Sequence, residues 1–165
     1  DELHNNRCFN PPQTLIEEQH PWATVLTCAD SRVSPSWIFD TTPGELFVIR
    51  SAGNTAFDEA IASIEYSISI LQTPLVMVMG HSGCGAVSTA MGDGVLSPSL
   101  ERLITPIRSQ IADSTDLSEA VRSNAQGTAA TLRSNSTLLR EAEANGAMSL
   151  VVSYFNLQTG AVTLI

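Results

Sequence analysis

The chain alternates short apolar runs with longer segments in which apolar residues recur every three or four positions. Several of the short runs are rich in β-branched residues and end at Pro, Gly or polar residues, a pattern typical of buried strands. The predicted strands cover residues 23–27, 46–52, 75–79, 148–155 and 161–165. The last of these follows a turn at Thr159 and Gly160, so we expect it to return as an antiparallel edge strand.

The longer segments have the spacing of amphipathic helices. Within residues 57–71, Ile61, Ile64 and Ile68 form an apolar stripe whose opposite side is polar. Further helices are predicted at residues 35–39, after Cys84, and over residues 100–111, 117–133 and 137–145. Strands that alternate with helices predict a three-layer α/β fold, in which functional residues gather at the carboxyl ends of the strands.

Composition narrows the class of protein. The chain has 165 residues, 43% of them hydrophobic, which suits one domain over residues 1–165 with residues 1–18 as a short N-terminal arm. The formal net charge is -9 and all 8 basic residues are arginine, so neither nucleic acid nor an anionic membrane is an expected partner. No apolar run reaches the ~20 residues that span a bilayer.

Cysteine usage bears on the compartment. The chain has 3 cysteines, and an odd number with two of them near other metal-binding residues does not predict a disulfide framework. Cys8 is then left as a free or buried thiol. We expect the cytoplasm or another reducing compartment, including an organelle stroma or matrix if an N-terminal segment has been removed.

Two short segments carry side chains that bind metals. T-C-A-D-S-R at residues 27–32 ends the first predicted strand, and G-H-S-G-C-G at residues 80–85 follows the third. Together they supply three ligands of the types that zinc prefers, Cys28, His81 and Cys84. A catalytic zinc keeps a fourth position for water. That position is open to water or to Asp30, and Arg32 is close enough in sequence to pair with Asp30 and hold it off the metal.

Four motifs in register extend beyond the ligand segments. C-A-D-S-R-V, P-G-E-L-F-V-I-R-S-A-G-N, S-I-E-Y and G-H-S-G-C-G-A-V have the order and spacing of the β-class carbonic anhydrases, and the chain resembles that family over residues 18–165. The resemblance implies a mainly parallel four-stranded sheet with an antiparallel C-terminal edge strand and helices on both faces. It also implies a homodimer or higher homo-oligomer in which two subunits build each pair of sites.

The resemblance further implies Zn²⁺ as cofactor and the reversible hydration of carbon dioxide to bicarbonate and a proton. The two cysteines and the histidine would hold zinc, with Asp30 as the fourth ligand in a closed state. In the open state Asp30, held by Arg32, would orient the zinc-bound hydroxide, and Gln19 would hydrogen-bond the substrate. The implied substrate pocket is lined by Phe47, Ala52, Gly53 and Tyr66. Arg50 is expected to be structural, because Val25 replaces the tryptophan with which some members bind regulatory bicarbonate.

Three other functions fit parts of the sequence. A carbon disulfide or carbonyl sulfide hydrolase would use the same scaffold and ligands, and assays with each gas separate it from carbon dioxide hydration. A thiol or serine hydrolase would use Cys84 or Ser82 with His81 as base, but G-x-S-x-G fails because its fifth position is Cys84. A structural zinc would be closed by Asp30 and would leave no exchangeable water.

Overall fold

The central sheet of the computed structural model, which describes residues 17–165, has five strands. They are β1 (Ala23–Cys28), β2 (Leu46–Ser51), β3 (Leu75–His81), β4 (Ser149–Phe155) and β5 (Val162–Leu164). Their order in the sheet is β2-β1-β3-β4-β5. The first four are parallel, whereas β5 runs antiparallel to β4 along one edge. The predicted α/β fold with a mainly parallel sheet and an antiparallel C-terminal edge strand is confirmed.

Helices fill the connections between these strands. They are α1 (Pro35–Ile38), α2 (Asp58–Ser69), α3 (Gly85–Met91), α4 (Pro98–Gln110), α5 (Leu117–Asn135) and α6 (Thr137–Ala144). Their starts follow local chemistry: the carboxylate of Asp116 accepts from the N–H of Glu119 at α5, and the hydroxyl of Ser136 accepts from Leu139 at α6. Side-chain caps of this kind stop the first turn from fraying.

The two faces of the sheet are covered unequally. On one face Leu26 and Val76 pack with α2, α5 and α6, and α3 and α4 extend this layer towards the carboxyl ends of the strands. On the other face Val25 and Met77 pack with Ile38 of α1 and with loop residues. Every residue of β1 is buried, as expected for a central parallel strand that is covered on both faces. The prediction of helices on both faces is confirmed.

Several strand ends differ from the predicted ones by one or two residues, and two of these differences affect the site described below. β3 continues two residues further, to His81, because its last residues pair with the end of β4. β2 ends at Ser51 rather than Ala52, because the chain enters a 3-10 turn at Ala52–Asn54 in which Gly53 has a φ of 68°. This left-handed conformation is one that glycine adopts without a steric penalty.

The predicted N-terminal arm lies almost entirely outside the described residues, as does Cys8. Residues 17–165 build one sheet with its helices, and the single-domain assignment for residues 1–165 stays a prediction. A helix long and apolar enough to cross a membrane is absent from the part of the chain that the structure describes.

Candidate metal centre

Three side chains of metal-ligand type meet at the carboxyl end of the parallel strands. Cys28 is the last residue of β1 and His81 the last of β3, and these strands are hydrogen-bonded neighbours. Cys84 follows three residues later, at the N-cap of α3. All three side chains are buried, and their ligand atoms lie within 4.8 Å of one another. The structure therefore brings the three predicted ligands together.

The imidazole of His81 presents one nitrogen to this cluster. Its Nδ1 lies 3.0 Å from the carbonyl oxygen of Ser82, and because a carbonyl only accepts, Nδ1 carries the proton and Nε2 a lone pair. Nε2 is buried and has no hydrogen-bond partner among residues 17–165. Burying a hydrogen-bond acceptor without a donor is unfavourable unless a bound ligand interacts with it.

The two thiols lie 3.9 Å apart, Sγ to Sγ, and influence each other's protonation. The hydrogen bond from Cys84 is the main cause that lowers the pKa of the Cys28 thiol to about 4, and burial acts in the opposite direction. The same bond to Cys28, together with burial, raises the pKa of the Cys84 thiol. Since metals bind thiolates, a soft cation would replace the proton that the pair shares.

The donor set and its geometry fit zinc. With Zn–S bonds of about 2.3 Å, a tetrahedral ion separates two thiolate sulfurs by roughly 3.8 Å, close to the observed 3.9 Å. Two sulfur ligands and one imidazole also favour zinc over magnesium or calcium, which prefer oxygen. Such an ion would bind the Nε2 atom of His81, which has no hydrogen-bond partner among the described residues.

Asp30 lies beside the cluster and is engaged by Arg32. The guanidinium donates from Nε to Oδ1 at 2.9 Å and from Nη2 to Oδ2 at 2.7 Å. These hydrogen bonds are the main reason that the pKa of the Asp30 carboxyl lies far below its usual range. Oδ2 is 3.9 Å from Nε2 of His81, so the carboxylate borders the ligand cluster without joining it.

Arg50 fixes the loop that carries Asp30. Its guanidinium donates to the carbonyl oxygens of Cys28, Asp30 and Val33 at 3.2, 2.6 and 2.8 Å. Because the guanidinium is planar and its donors are rigidly placed, three backbone acceptors on one group hold the loop after β1 in one shape. Arg50 thus makes the structural hydrogen bonds expected of it.

Two of the four residues in the predicted substrate pocket lie next to the ligands. Ala52 begins the turn after β2, and the N–H of Gly53 in the same turn donates to Sγ of Cys28 at 3.3 Å. A side chain at Gly53 would be strained by the φ of 68° and would displace Ile107, because a Cβ there would lie 2.6 Å from Cδ1 of Ile107. The turn therefore packs directly against the metal-ligand cluster.

The other predicted site residues lie at the amino end of the sheet, away from the metal ligands. They are Phe47, Tyr66 and Gln19. Phe47 pairs with Thr24, four residues before Cys28, a distance of about 13 Å along the strand. Its ring packs on Tyr66 with centroids 6.2 Å apart, and Gln19 and Tyr66 line an open depression of about 400 Å³. Within one chain, these three predicted site residues are not brought to the metal ligands.

No motif in the sequence pointed to Asn124, which reaches the site from α5. Its Nδ2 donates to the carbonyl oxygen of Gly53 at 2.8 Å, and its side chain is fully buried. A weak signal was present, because Asn124 lies within a mainly apolar stripe of α5 that includes the buried Val121 and Ala125. A buried polar residue needs a partner, but the sequence does not identify which one.

Comparison with known proteins identifies relatives of this arrangement. A family model described as carbonic anhydrase matches residues 23–162. The chain is 31% identical to a carbonic anhydrase of Mycolicibacterium smegmatis over 172 residues, covering 98% of this chain and 83% of the relative. It is 33% identical to carbonic anhydrase 2 of Mycobacterium tuberculosis over 159 residues, covering 91% of this chain and 77% of the relative.

Solved structures share the fold. A Coccomyxa β-carbonic anhydrase in complex with acetazolamide matches with a TM-score of 0.83 at 24% identity, over 92% of this chain and 75% of that one. A β-carbonic anhydrase of Sordaria macrospora, described as tetrameric, matches with a TM-score of 0.81 at 24% identity, over 92% of this chain and 84% of that one.

The fold and the site define a class of α/β enzymes in which two cysteines and a histidine gather at the carboxyl ends of neighbouring strands. The chain belongs to the carbonic anhydrase family, in its β class. The resemblance noted in the sequence is confirmed, and so is the prediction of an enzyme of this family.

Proposed function

We propose that this carbonic anhydrase uses zinc to interconvert carbon dioxide and bicarbonate, with Asp30 and Arg32 orienting the attacking oxygen. One observation carries the proposal: the buried Nε2 of His81 has no partner among the described residues and faces two cysteine sulfurs. Membership of the family supports the substrate, since carbon dioxide hydration is its general reaction.

Cys28, His81 and Cys84 would hold the ion. When bound, zinc acts as a Lewis acid and lowers the pKa of a water molecule to roughly 7. Two thiolates offset the charge of the cation, and the hydrogen bond between Nδ1 of His81 and the Ser82 carbonyl fixes the tautomer that leaves Nε2 free to bind. Because Cys28 and Cys84 can hold the ion only while they are reduced, we also propose the cytoplasm or another reducing compartment as the location.

Asp30 serves as a hydrogen-bond acceptor beside this centre. Arg32 lowers the pKa of the Asp30 carboxyl, which therefore stays ionised at neutral pH. The guanidinium occupies one side of the carboxylate, and the remaining lone pairs accept from the attacking water and aim it at carbon. The ion pair with Arg32 also opposes movement of the carboxylate onto the metal.

Two subunits are proposed to build each site, so that Gln19, Phe47 and Tyr66 act on substrate at the partner's metal. This is supported by their separation from the ligands of their own chain and by the exposure of Tyr66, which is 46% accessible. Phe47 belongs to β2, which is an edge strand of the sheet as described, and Val48 of the same strand is exposed. An open edge strand is a surface on which a second chain associates.

Stopped-flow measurement of carbon dioxide hydration, with zinc determined on the same sample, tests the proposal. We expect hydration in proportion to zinc content, with a rate that rises through neutral pH as a water of pKa roughly 7 is deprotonated. Full zinc occupancy without hydration at any pH would overturn the proposed reaction, and turnover of carbonyl sulfide or carbon disulfide by the same sample would replace it. Full activity without zinc would overturn the metal's role.

A further inference from the structure

A buried chain of hydrogen bonds connects α5 to a metal ligand. Asn124 donates from Nδ2 to the carbonyl oxygen of Gly53 at 2.8 Å, and the N–H of Gly53 donates to Sγ of Cys28 at 3.3 Å. The side chain of Asn124 has no exposed surface, and Cys28 is buried as well. Because Asn124 and Gly53 are 71 residues apart in the chain, only the tertiary fold creates this connection.

The middle member of the chain lies in a left-handed turn. Gly53 has a φ of 68° and a ψ of 23°, and the next residue, Asn54, has a φ of 48°. Glycine adopts this conformation freely, so the conformational cost falls on Asn54, and a left-handed residue other than glycine persists only where its surroundings hold it. Packing on Ile107 and Ala86 restricts the space around Gly53, but only a hydrogen bond fixes the direction in which its polar groups point.

The amide of Asn124 is itself only half satisfied. Since the Gly53 carbonyl can only accept, the amide turns its nitrogen towards Gly53. Its Oδ1 is then buried, with no hydrogen-bond partner in residues 17–165. A leucine would leave the Gly53 carbonyl unpaired but would remove the unpaired Oδ1. Stability alone therefore gives little reason for an amide at this position.

We propose that Asn124 is a positioning residue for Cys28: by holding Gly53, it keeps the Gly53 N–H directed at the sulfur. This inference rests on the proposed role of Cys28 as a metal ligand. An N–H donor on a thiolate fixes the orientation of its lone pairs and withdraws charge from the sulfur, so it affects how tightly and in what geometry a cation is bound.

The same helix offers a matched control. Thr128 lies one turn further along α5 and accepts a hydrogen bond from Nδ2 of Asn54 at 3.4 Å. It is as deeply buried as Asn124. Thr128→Val therefore removes a buried polar contact between the same helix and the same turn, but leaves the link through Gly53 in place.

The first measurement is the zinc affinity of the whole protein, determined by competition with a chelator. Asn124→Leu is expected to weaken zinc binding by roughly 10–100-fold, the usual effect of losing a group that orients a ligand, whereas Thr128→Val is expected to stay near wild type. Thermal unfolding of the metal-free proteins separates this effect from stability, because we expect the two variants to unfold at similar temperatures. Equal zinc affinity of wild type and Asn124→Leu would overturn the proposal.

The second measurement reads the hydrogen bond itself. In protein loaded with a spin-active cadmium isotope and labelled with nitrogen-15, the Gly53 amide should show a scalar coupling to cadmium through the Cys28 sulfur. Thr128→Val should keep this coupling and Asn124→Leu should lose it, an effect that a purely structural role of Asn124 would not produce. The wild-type spectrum also tests the proposal if Asn124→Leu does not fold, because absence of the coupling there would overturn it.

Failure of this inference is distinguishable from failure of the proposed function. Wild-type protein that binds neither zinc nor cadmium would overturn the metal site and with it everything built on it. Wild-type protein that binds both, while Asn124→Leu keeps the same affinity and the same coupling, would overturn only the role of Asn124.

Discussion

The two ends of the central sheet are built in opposite ways. At the carboxyl end, three ligand atoms from one chain are buried within 4.8 Å of one another. At the amino end, Gln19 and Tyr66 line an open depression, and Tyr66 touches only the ring of Phe47 among aromatic neighbours in the described chain. At the carboxyl end, one subunit supplies all three buried ligand atoms. At the amino end, the side chains that line the depression face outward from the subunit.

The difference reflects what each end must do. Metal ligands act only if their atoms are held to within fractions of an ångström, and hydrogen bonds from Arg50 and Gly53 around Cys28 provide that constraint. A pocket for a small apolar substrate needs only shape and exclusion of water, which a second subunit can supply when it associates. In our proposal, one chain thus carries the three ligands of its own metal and half of a partner's pocket.

Loss of a metal ligand is expected to have the largest effect. In Cys84→Ser the hydroxyl is a poor zinc ligand at neutral pH, so zinc affinity should fall by more than the roughly 10–100-fold that loss of an orienting group causes. Hydration should fall with it. Added zinc should no longer raise the unfolding temperature, since a ligand stabilises only the state that binds it.

Zinc content and thermal unfolding with and without zinc measure this effect. The hydroxyl of Cys84→Ser can keep the hydrogen bond to Cys28 that the thiol makes, so the metal-free variant should unfold close to metal-free wild type, which serves as its control. A Cys84→Ser protein with unchanged zinc content would show that Cys84 is not a ligand.

Asp30→Asn is expected to have the next largest effect. The variant should keep its zinc but lose turnover by about 100-fold or more, the usual range for a positioned acid–base group, because an amide is a weaker acceptor and does not hold Arg32 in place. Asp93→Asn makes the same charge change at an exposed loop residue and is the control. Near-normal turnover by Asp30→Asn would contradict the orienting role.

The same variant has a pH signature. Because Arg32 lowers the pKa of Asp30, the ion pair contributes stability at pH values above the ordinary carboxyl pKa, and this contribution disappears as pH falls through the lowered value. The difference in free energy of unfolding between wild type and Asp30→Asn should be constant above about pH 5 and shrink in stronger acid. Denaturant titrations at several pH values measure it, and a difference that grows on acidification would be inconsistent with the pair.

A smaller effect is expected at the amino end. Gln19→Ala should keep zinc and lower kcat/KM by about 10-fold, as expected for one hydrogen bond of roughly 1.4 kcal/mol in the transition state. Mixing subunits then tests which site Gln19 serves. If Gln19 acts on the partner's substrate, a hybrid of a Gln19→Ala chain and a Cys84→Ser chain contains one intact site.

Dissociating and reassociating an equal mixture of the two variants should therefore raise activity several-fold above their unmixed average. If Gln19 serves its own chain instead, no hybrid site is intact and mixing gives no gain. Reassociation of each variant with itself is the control for losses during the procedure.

Much of the carboxyl end could be predicted because its signals are local. The β-branched runs of β1 and β3 end directly at Cys28 and near His81, and parallel neighbours place their ends together. The turn at Gly53 and the contact from Asn124 could not be predicted in this way. Both depend on which helix packs against the turn, and that information lies 71 residues away in the chain.

The amino end shows a different limit. The motifs that contain Phe47 and Tyr66 identified these residues, but a motif does not say whether a side chain serves its own subunit or another. Strand register gives part of the answer, because Phe47 lies opposite Thr24 rather than Cys28. The sequence shows how far apart two residues lie along one strand. Assigning Phe47 or Tyr66 to a particular metal site also requires the three-dimensional positions of the amino and carboxyl ends of the sheet.

The smallest expected effect concerns an ion pair between two helices near the amino end of β4. Arg133 of α5 donates to both oxygens of Glu143 of α6 at 2.9 and 2.7 Å and also reaches the Leu150 carbonyl. The pair is partly exposed, so after solvent screening Glu143→Gln should cost about 0.5 kcal/mol, roughly 1–2 °C in unfolding temperature. The bond from Arg133 lowers the pKa of Glu143, so this loss should be seen near neutral pH and vanish in acid.

Zinc content and hydration should not change in Glu143→Gln, and Glu141→Gln, which removes the same charge from the same helix, is the control for stability. If hydration fell together with stability, the amino end would act on the metal site through its own chain. That result would break the division between the two ends of the sheet, because the substrate pocket would then depend on the scaffold of the subunit that holds the metal rather than on side chains presented to a partner.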